Sequence, residues 1–320
     1  MTMIEVLAPG LLTTVQDLGR EGFGPLGVSP SGAADAISLR VGNRLVGNPE
    51  SAAALEMTLL GGTFAFPQGA IAALAGSDFG ATLSRSSGEA PVPPWTSLEV
   101  PAGGVLRVGP TRSGARCYLC VSGGIAEPLF LGSASTHLLS GLGGHEGRAL
   151  RKGDVLRIGV AAARFPQNTV SPQALEALAP RKVLRTTPGP QAGWFAEAAL
   201  RAFYSTTYRV AEESNRMGLR LEGAPIAEDV PGEMISEGMP LGAIQITAGG
   251  LPIILFVEQQ TSGGYAKIAN VISADFHCLG QLRPRDEVRF QAVDFDEARG
   301  ALLQQEKLVA SAGLLVARSA

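Results

Sequence analysis

Apolar residues in this chain come in short bursts, each closed by Gly, Pro, Ser or Asp, a pattern that predicts strands and turns rather than long helices. Ile4–Leu7 and Leu11–Val15 read as the first two strands, split by Pro9-Gly10, and 17–22 reads as a loop. The period then changes. Ile37, Val41 and Leu45 recur every fourth residue, which predicts a helix over about Ala34–Leu45. Ser31 or Asp35 is placed to cap its start, and Gly47-Asn48-Pro49 stops it. From Ala54 the strand pattern returns at Leu55–Leu60, Thr63–Phe66, Ile71–Leu74, Leu98–Val100, Val105–Val108, Cys117–Val121 and Val155–Ile158. Regular short strands of this kind suggest a barrel or sandwich.

The segment Ala161–Arg181, with Pro166, Pro172 and Pro180, reads as the boundary between two strand-rich halves, 1–165 and 180–320. The second run of strands extends from Val183 to Phe290, with one helix near Gly193–Phe203. The tail from about Asp296 to Val309 reads as helical, with Asp294 or Asp296 near its N-terminus, where a carboxylate is favoured. An ungapped offset of 181 residues places Glu237 on Glu56, Gly242 on Gly61, Gly250 on Gly69 and Leu255 on Leu74. That match suggests an internal duplication, and chance matching of a common residue also accounts for it.

Composition narrows the class. With 41 glycines and 21 prolines among 320 residues, one helical bundle is disfavoured. At 45% hydrophobic and 17% charged, the chain is not disordered. The net charge of −3 and the lack of a basic run argue against a nucleic-acid groove. The apolar stretches Leu251–Val257 and Leu308–Ala317 fall short of the roughly 20 residues a membrane span needs. The N-terminus shows no signal-peptide pattern, and three cysteines make no disulfide framework, so a reduced, cytoplasmic protein is expected.

Candidate chemistry is sparse outside two regions. Cys117-x-x-Cys120 lacks a second ligand pair, and as a strand it would point its thiols to opposite faces, so core packing is the better reading and no metal site is expected. His145 lies in Gly141-Leu142-Gly143-Gly144-His145-Glu146-Gly147, which reads either as an active-site lid or as a long hairpin. There is no G-x-S-x-G elbow and no phosphate-binding P-loop. The densest polar run is Glu258-Gln259-Gln260-Thr261-Ser262-Gly263-Gly264-Tyr265-Ala266-Lys267, directly after the apolar strand Pro252–Val257. Its Gly263-Gly264 amides suit an anion nest, and Lys267 adds a cation for a carboxylate or phosphate. Arg216 and Arg220, within Ser214–Gly223, read either as carboxylate clamps or as surface partners of Glu222 or Glu237, and Arg112, Ser113 and Arg116 raise the same question.

Taken in order, several segments resemble the biotin-dependent carboxyltransferase subunit family, whose members are also called allophanate hydrolase subunit 2, KipA-like, or the C subunit of 5-oxoprolinase. They are Pro9–Arg20, Ser31-Gly32-Ala33-Ala34-Asp35, Leu55-Glu56, Arg116–Ile125 and Gly147–Leu150 with Gly153-Asp154. Pro188–Gln191, Ser214–Gly218, Ser236–Gly238, Gly242–Gln245 and Gln260–Ala269 follow. The resemblance spans about Ile4 to Phe290. It implies a mainly β chain of two cyclophilin-like β-barrel domains, 1–165 and 180–320, with a few short helices. It also implies a partner homologous to allophanate hydrolase subunit 1, the counterpart of the 5-oxoprolinase B subunit. The 5-oxoprolinase A subunit is implied as a further partner.

The implied function is that of the C subunit of an ATP-dependent 5-oxoprolinase-type complex acting on a small lactam or amide. One alternative is transfer of a carboxyl group from carboxybiotin to a urea-like amide, with the biotin on another chain. The other is a KipA-type regulator that binds an inhibitor of a sensor kinase. For the enzyme readings, Lys267 and Arg216 would hold anionic groups, and Asp78, Glu56 or Glu237 would accept a proton. Gln260, Thr261 and the Gly263-Gly264 amides would stabilise an oxyanion. Tyr265, Ser31, Arg116 and His145 complete the expected substrate-binding set, and ATP is expected to act within the complex. The chain departs from the family pattern at Glu258-Gln259, where Asp-Arg is usual, at Ala266 for proline, at Ala134 for arginine and at Ser77 for alanine.

Overall fold

The computed structural model describes residues 2–86, 88–161, 167–226 and 234–317. The chain divides into two compact units, and each combines distant stretches. One holds residues 1–20, 31–178 and 308–320; the other holds 21–30 and 179–307. Both are mainly β, and no helix of the described residues is long and apolar enough to cross a membrane.

The first unit is built on a six-stranded and a five-stranded sheet around one core. In Met3–Ala8 and Thr63–Phe66 alternate residues are buried, sending Ile4, Val6, Phe64 and Phe66 inward. The strand Arg116–Val121 is different: all six residues are buried, because both faces of its sheet are covered. Cys117, Leu119 and Val121 enter the core between the sheets. Tyr118 and Cys120 enter a second core beneath the helix Ala36–Leu45, which Val170, Ala174, Val309 and Leu314 complete. The two thiols therefore serve opposite cores, and both cysteines are free. Of the two candidate caps, Asp35 fills the role: its Oδ1 accepts from the Ser38 backbone N–H at 2.9 Å.

The boundary segment is more structured than its prolines suggest. Residues 162–166, Pro166 among them, lie outside the described residues. Beyond them Asn168–Val170 pairs with Leu315–Ala317, and Pro172–Ala177 forms a helix capped by Ser171. Proline at the first helical position is compatible with the helix, so Pro172 marks a start rather than a break. The hairpin Thr82–Arg85 and Gly88–Pro91 is not predicted from the sequence, because Leu83 alone among its residues enters the core, too little for an apolar alternation.

In the second unit, seven strands close into a barrel. Their order is Val183–Pro188, Lys267–Val271, Ala243–Ile246, Pro252–Leu255, Gly218–Glu222, Tyr208–Val210 and Glu287–Ala292. Only the closing pair, Val183–Pro188 with Glu287–Ala292, is parallel. The helix expected at Gly193–Phe203 splits into a single turn, Ala192–Trp194, and a helix, Glu197–Ser205. The last helix, Phe295–Ala310, begins at a reciprocal cap in which Asp294 Oδ1 accepts from Glu297 N and Glu297 Oε2 accepts from Asp294 N.

The 181-residue offset lays Thr63–Phe66 over Ala243–Ile246 to within a residue, and the longer Ala70–Gly76 over Pro252–Leu255 to within two. The pairing is not repeated. Ala243–Ile246 and Pro252–Leu255 bond to each other, whereas Thr63–Phe66 and Ala70–Gly76 sit in different sheets. Of the two matched glycine pairs, Gly69 and Gly250 share a left-handed turn, with φ of 74° and 76°, whereas Gly242 is left-handed and Gly61 is not.

Candidate functional site

The polar run after Pro252–Leu255 folds back over one region of the second unit. Ser262–Gly263 forms a short ribbon with Glu237–Gly238, so Glu237 lies opposite Gly263. Lys267 opens the next barrel strand opposite Gln245. The Lys267 side chain is 2% exposed, and its Nζ pairs with Glu237 Oε1. Gln191 Nε2 donates to the same oxygen at 2.7 Å, and Gln191 Oε1 accepts from the Lys267 backbone N–H at 3.2 Å. Gly189 permits this, since a Cβ there would lie 2.2 Å from the Lys267 carbonyl oxygen. The hydrogen bond from Lys267 is the main reason the Glu237 carboxyl is held below its usual range.

In the same unit, Arg216 Nε contacts Glu258 Oε1 at 2.5 Å, with both side chains buried. Gln259 is buried too, and its Oε1 has no hydrogen-bond partner among the described residues. A pocket of about 220 Å³ opens in the same unit, lined by Asn215, Arg220, Gln245, Thr247, Gln260 and Tyr265 with the apolar Met217, Gly218, Ile253 and Leu255. Gly263 adjoins it: a Cβ there would lie 2.6 Å from Gln260 Nε2 and 3.3 Å from Gln245 Nε2. Neither Gly263 nor Gly264 is left-handed, so the expected anion nest is not formed and Gly263 instead permits close packing of carboxamides. Thr261 contributes its backbone carbonyl, which accepts from Met239 N at 3.1 Å.

The structure thus gathers Lys267, Glu237, Gln260, Gly263 and Tyr265 in one neighbourhood, with Arg216 on the strand approach that also supplies Asn215 and Met217. Gln191, Gln245, Asn215 and Thr247 were not expected there. Their signal was weak: each lies in or beside a family-like segment, and only strand pairing brings them together.

The remaining expected residues belong to the first unit, where they are tied into its framework. Glu56 Oε2 accepts from Tyr118 OH at 2.7 Å and from Ala34 N at 2.8 Å, and Arg116 Nε lies 3.6 Å from Glu56 Oε1. This buried knot joins two strands to the start of the Ala36–Leu45 helix. Ser31, at φ 57°, donates to the Thr136 carbonyl at 2.7 Å. Asp78 accepts from Gly80 N at 2.7 Å and pairs with Arg112 at 3.1 Å. His145 Nδ1 is 2.8 Å from Glu127, and its Nε2 is 3.7 Å from Asp154, which Arg148 also grips.

The glycine-rich loop is a packed hairpin. A Cβ at Gly143 would lie 2.2 Å from the Ser135 carbonyl oxygen, and one at Gly147 would lie 2.0 Å from that of Gly141. Close approach, not movement, requires these glycines. Asp17 organises the adjoining turn, accepting from the Ser133 hydroxyl at 2.6 Å, the Ser135 hydroxyl at 2.5 Å and the Ala134 N–H at 2.7 Å. Among the described residues no cluster of three or more His, Cys, Asp or Glu could hold a metal ion.

Comparison with known proteins agrees with this architecture. Residues 26–292 match the family model of the carboxyltransferase domain, subdomain A and B. The C subunit of 5-oxoprolinase from Escherichia coli is 36% identical over 307 residues, covering 95% of this chain and 96% of that protein. The protein of the same name from Haemophilus influenzae is 36% identical over 296 residues, covering 92% of this chain and 93% of that one. The crystal structure of K. lactis urea amidolyase superposes with a TM-score of 0.89 at 32% identity, over 99% of this chain. This chain spans about a fifth of that longer protein, 20% of its length.

Proposed function

The chain belongs to the carboxyltransferase subdomain A and B family, and on that premise we propose that it is the C subunit of an ATP-dependent 5-oxoprolinase-type complex, acting on a small lactam or amide. The observation that carries this reading is the pocket of the second unit, lined by the carboxamides of Asn215, Gln245 and Gln260, with the buried Lys267 opposite Gln245 and paired to the exposed Glu237. Its volume of about 220 Å³ lies below the roughly 300–1,000 Å³ of drug-sized ligand sites and suits a compact molecule. Carboxamide N–H groups stabilise charge developing on an amide oxygen, because they are held in place before reaction.

Lys267 supplies the positive charge behind these donors. Glu237, with its carboxyl held below the usual range, is a weak base and a good anchor: it fixes the Lys267 ammonium rather than taking the substrate proton. Glu56 and Asp78 are committed to contacts within the first unit, so proton transfer by either finds no support. The pocket is small for a nucleotide, and Gly263-Gly264 form no phosphate nest, so no step through ATP is assigned to these residues. Nucleotide chemistry is placed with the complex, where a homologue of the 5-oxoprolinase B subunit is the expected partner.

A second reading has a specific observation in its favour. The likeness to urea amidolyase, at a TM-score of 0.89, supports carboxyl transfer to a urea-like amide in the same pocket. Biotin would then arrive on another chain.

The test is ATP-dependent 5-oxoproline turnover by this chain co-expressed with its neighbouring subunits. Lys267→Ala removes the positive charge behind the carboxamide donors and is expected to lower turnover by about 10²-fold, the lower end of what loss of an oxyanion-hole contact costs. Near-normal turnover by a folded Lys267→Ala complex sinks the assignment. Turnover of urea with carboxybiotin, and none of 5-oxoproline, moves the chain to the second reading.

A further inference from the structure

On the reading that Lys267 supplies the charge behind the pocket, we infer that Gln191 is its positioning residue and holds the lysine at both ends. Pairing between the strands Val183–Pro188 and Lys267–Val271 stops where Pro188 lies opposite Ala269. The contact nevertheless runs on. Gly189 N–H donates to the Ile268 carbonyl at 3.0 Å, and Gln191 N–H donates to the Lys267 carbonyl at 3.3 Å. Gln191 Oε1 accepts from Lys267 N–H at 3.2 Å, so one residue takes up both backbone groups of the lysine. Its Nε2 then donates at 2.7 Å to Glu237 Oε1, the same oxygen that accepts from the Lys267 ammonium.

Glu237 needs this hold. It sits in a two-residue ribbon strand and its side chain is 42% exposed, so holding one rotamer costs it entropy. The Lys267 ammonium is buried and depends on that carboxylate, because a buried charge that loses its partner is costly. Lys267 is the charged group paired with Glu237 among the described residues, and the facing ribbon strand, Ser262–Gly263, carries none. Gln191 is itself buried, which limits its own rotamers. Support of the backbone would need only its side-chain oxygen. The bond from its nitrogen to Glu237 is what ties the backbone of the lysine to the charge at its tip.

The experiment compares Gln191→Met and Gln191→Glu in the full chain, co-expressed with its neighbouring subunits, by ATP-dependent 5-oxoproline turnover from neutral to mildly acidic pH. Both replacements are close to glutamine in size, and thermal melting checks that each folds. Gln191→Met loses both side-chain hydrogen bonds and is expected to lower turnover about tenfold, in keeping with loss of a hydrogen bond to a charged group. Gln191→Glu keeps the acceptor for Lys267 N–H but loses the donor to Glu237, and is expected to fall at least as far at neutral pH. Two facing carboxylates share a proton as pH drops, which restores a donor. The ratio of Gln191→Glu to wild-type turnover is therefore expected to rise toward acid, while that of Gln191→Met stays flat. Support of the backbone alone gives the opposite result, near-wild-type turnover by Gln191→Glu at neutral pH. That outcome, near-wild-type turnover by Gln191→Met, or failure of both variants to fold overturns the positioning role and leaves Lys267 in the site. A readout independent of turnover is acetylation of Lys267 by acetic anhydride, followed by mass spectrometry. Labelling is expected to be severalfold faster in both variants at neutral pH, and protection equal to wild type overturns the clamp. Turnover insensitive to Lys267→Ala overturns the reading of the site instead.

Discussion

Single side chains in this protein do two kinds of work, and burial separates them. Glu56, Tyr118 and Arg116 form a buried knot in the first unit. Burial, reinforced by the Glu56 charge, pushes the Tyr118 phenol well above its usual range, so it stays a donor at any physiological pH. Tyr118→Phe leaves Glu56 Oε2 with one fewer donor and Asp35 N without its acceptor. A loss of about 1–3 kcal/mol is expected, read from denaturant midpoints, since an orphaned buried polar group costs that much. Asp154 supplies a pH test. Hydrogen bonds from Arg148 hold its carboxyl below the usual range, so its contribution is present above the unfolded carboxylate pKa and is lost as pH falls through the lower folded one. Asp154→Asn is expected to flatten the acid limb of a Tm-versus-pH curve and to lower the plateau near neutrality. An acid limb identical to wild type contradicts the assignment. The sequence marked Lys267, Glu237 and Gln260 as site residues, Lys267 and Gln260 because the density of polar groups around them exceeds what a turn needs. It marked Glu56, Arg116 and His145 equally well, and only burial and partners distinguish framework from pocket.

At the scale of elements, local patterns carried most of the information. Thr63–Phe66 and the helix ending at Leu45 follow from alternation, four-residue spacing and cap residues, all of which act within a few positions. The hairpin Thr82–Arg85/Gly88–Pro91 was illegible because Leu83 alone among its residues enters the core, and one buried residue makes no periodic pattern. The glycine-rich loop shows the same limit, since glycine permits both movement and tight contact. Two alanine substitutions separate these effects. Gly143→Ala meets a left-handed φ of 63° and a backbone oxygen 2.2 Å away, whereas Gly153→Ala meets a φ of 93° and open space. Gly153→Ala is expected to cost about 1–3 kcal/mol, the usual strain of an unfavourable backbone conformation. Gly143→Ala is expected to cost clearly more, by thermal melting. Equal losses would mean that the loop yields, and the packed-hairpin account would fail.

Over the whole molecule, the units are not the two halves of the sequence. Val309 and Leu314, from the far end of the chain, are fully buried in the core beneath the Ala36–Leu45 helix. Ending the chain at Lys307 removes both, and at about 1.5–3 kcal/mol per buried side chain the first unit should lose roughly 3–6 kcal/mol. Limited proteolysis and urea unfolding of the truncated chain read this directly, and unchanged protection of the first unit would contradict it. The sequence by itself determined the class of structure, the positions of most strands and turns, and the family. Those follow from periodicity, turn chemistry and ordered motifs, which are written in neighbouring residues. Tertiary structure alone decided the rest: which strands pair, that Leu308–Ala320 belongs with the first unit, and that residues from Asn215 to Tyr265 line one pocket. The physical reason is distance along the chain. Register between strands, the burial of an Arg–Glu pair and the approach of Lys267 to Glu237 depend on which surfaces the folded chain brings together, and no local pattern encodes that.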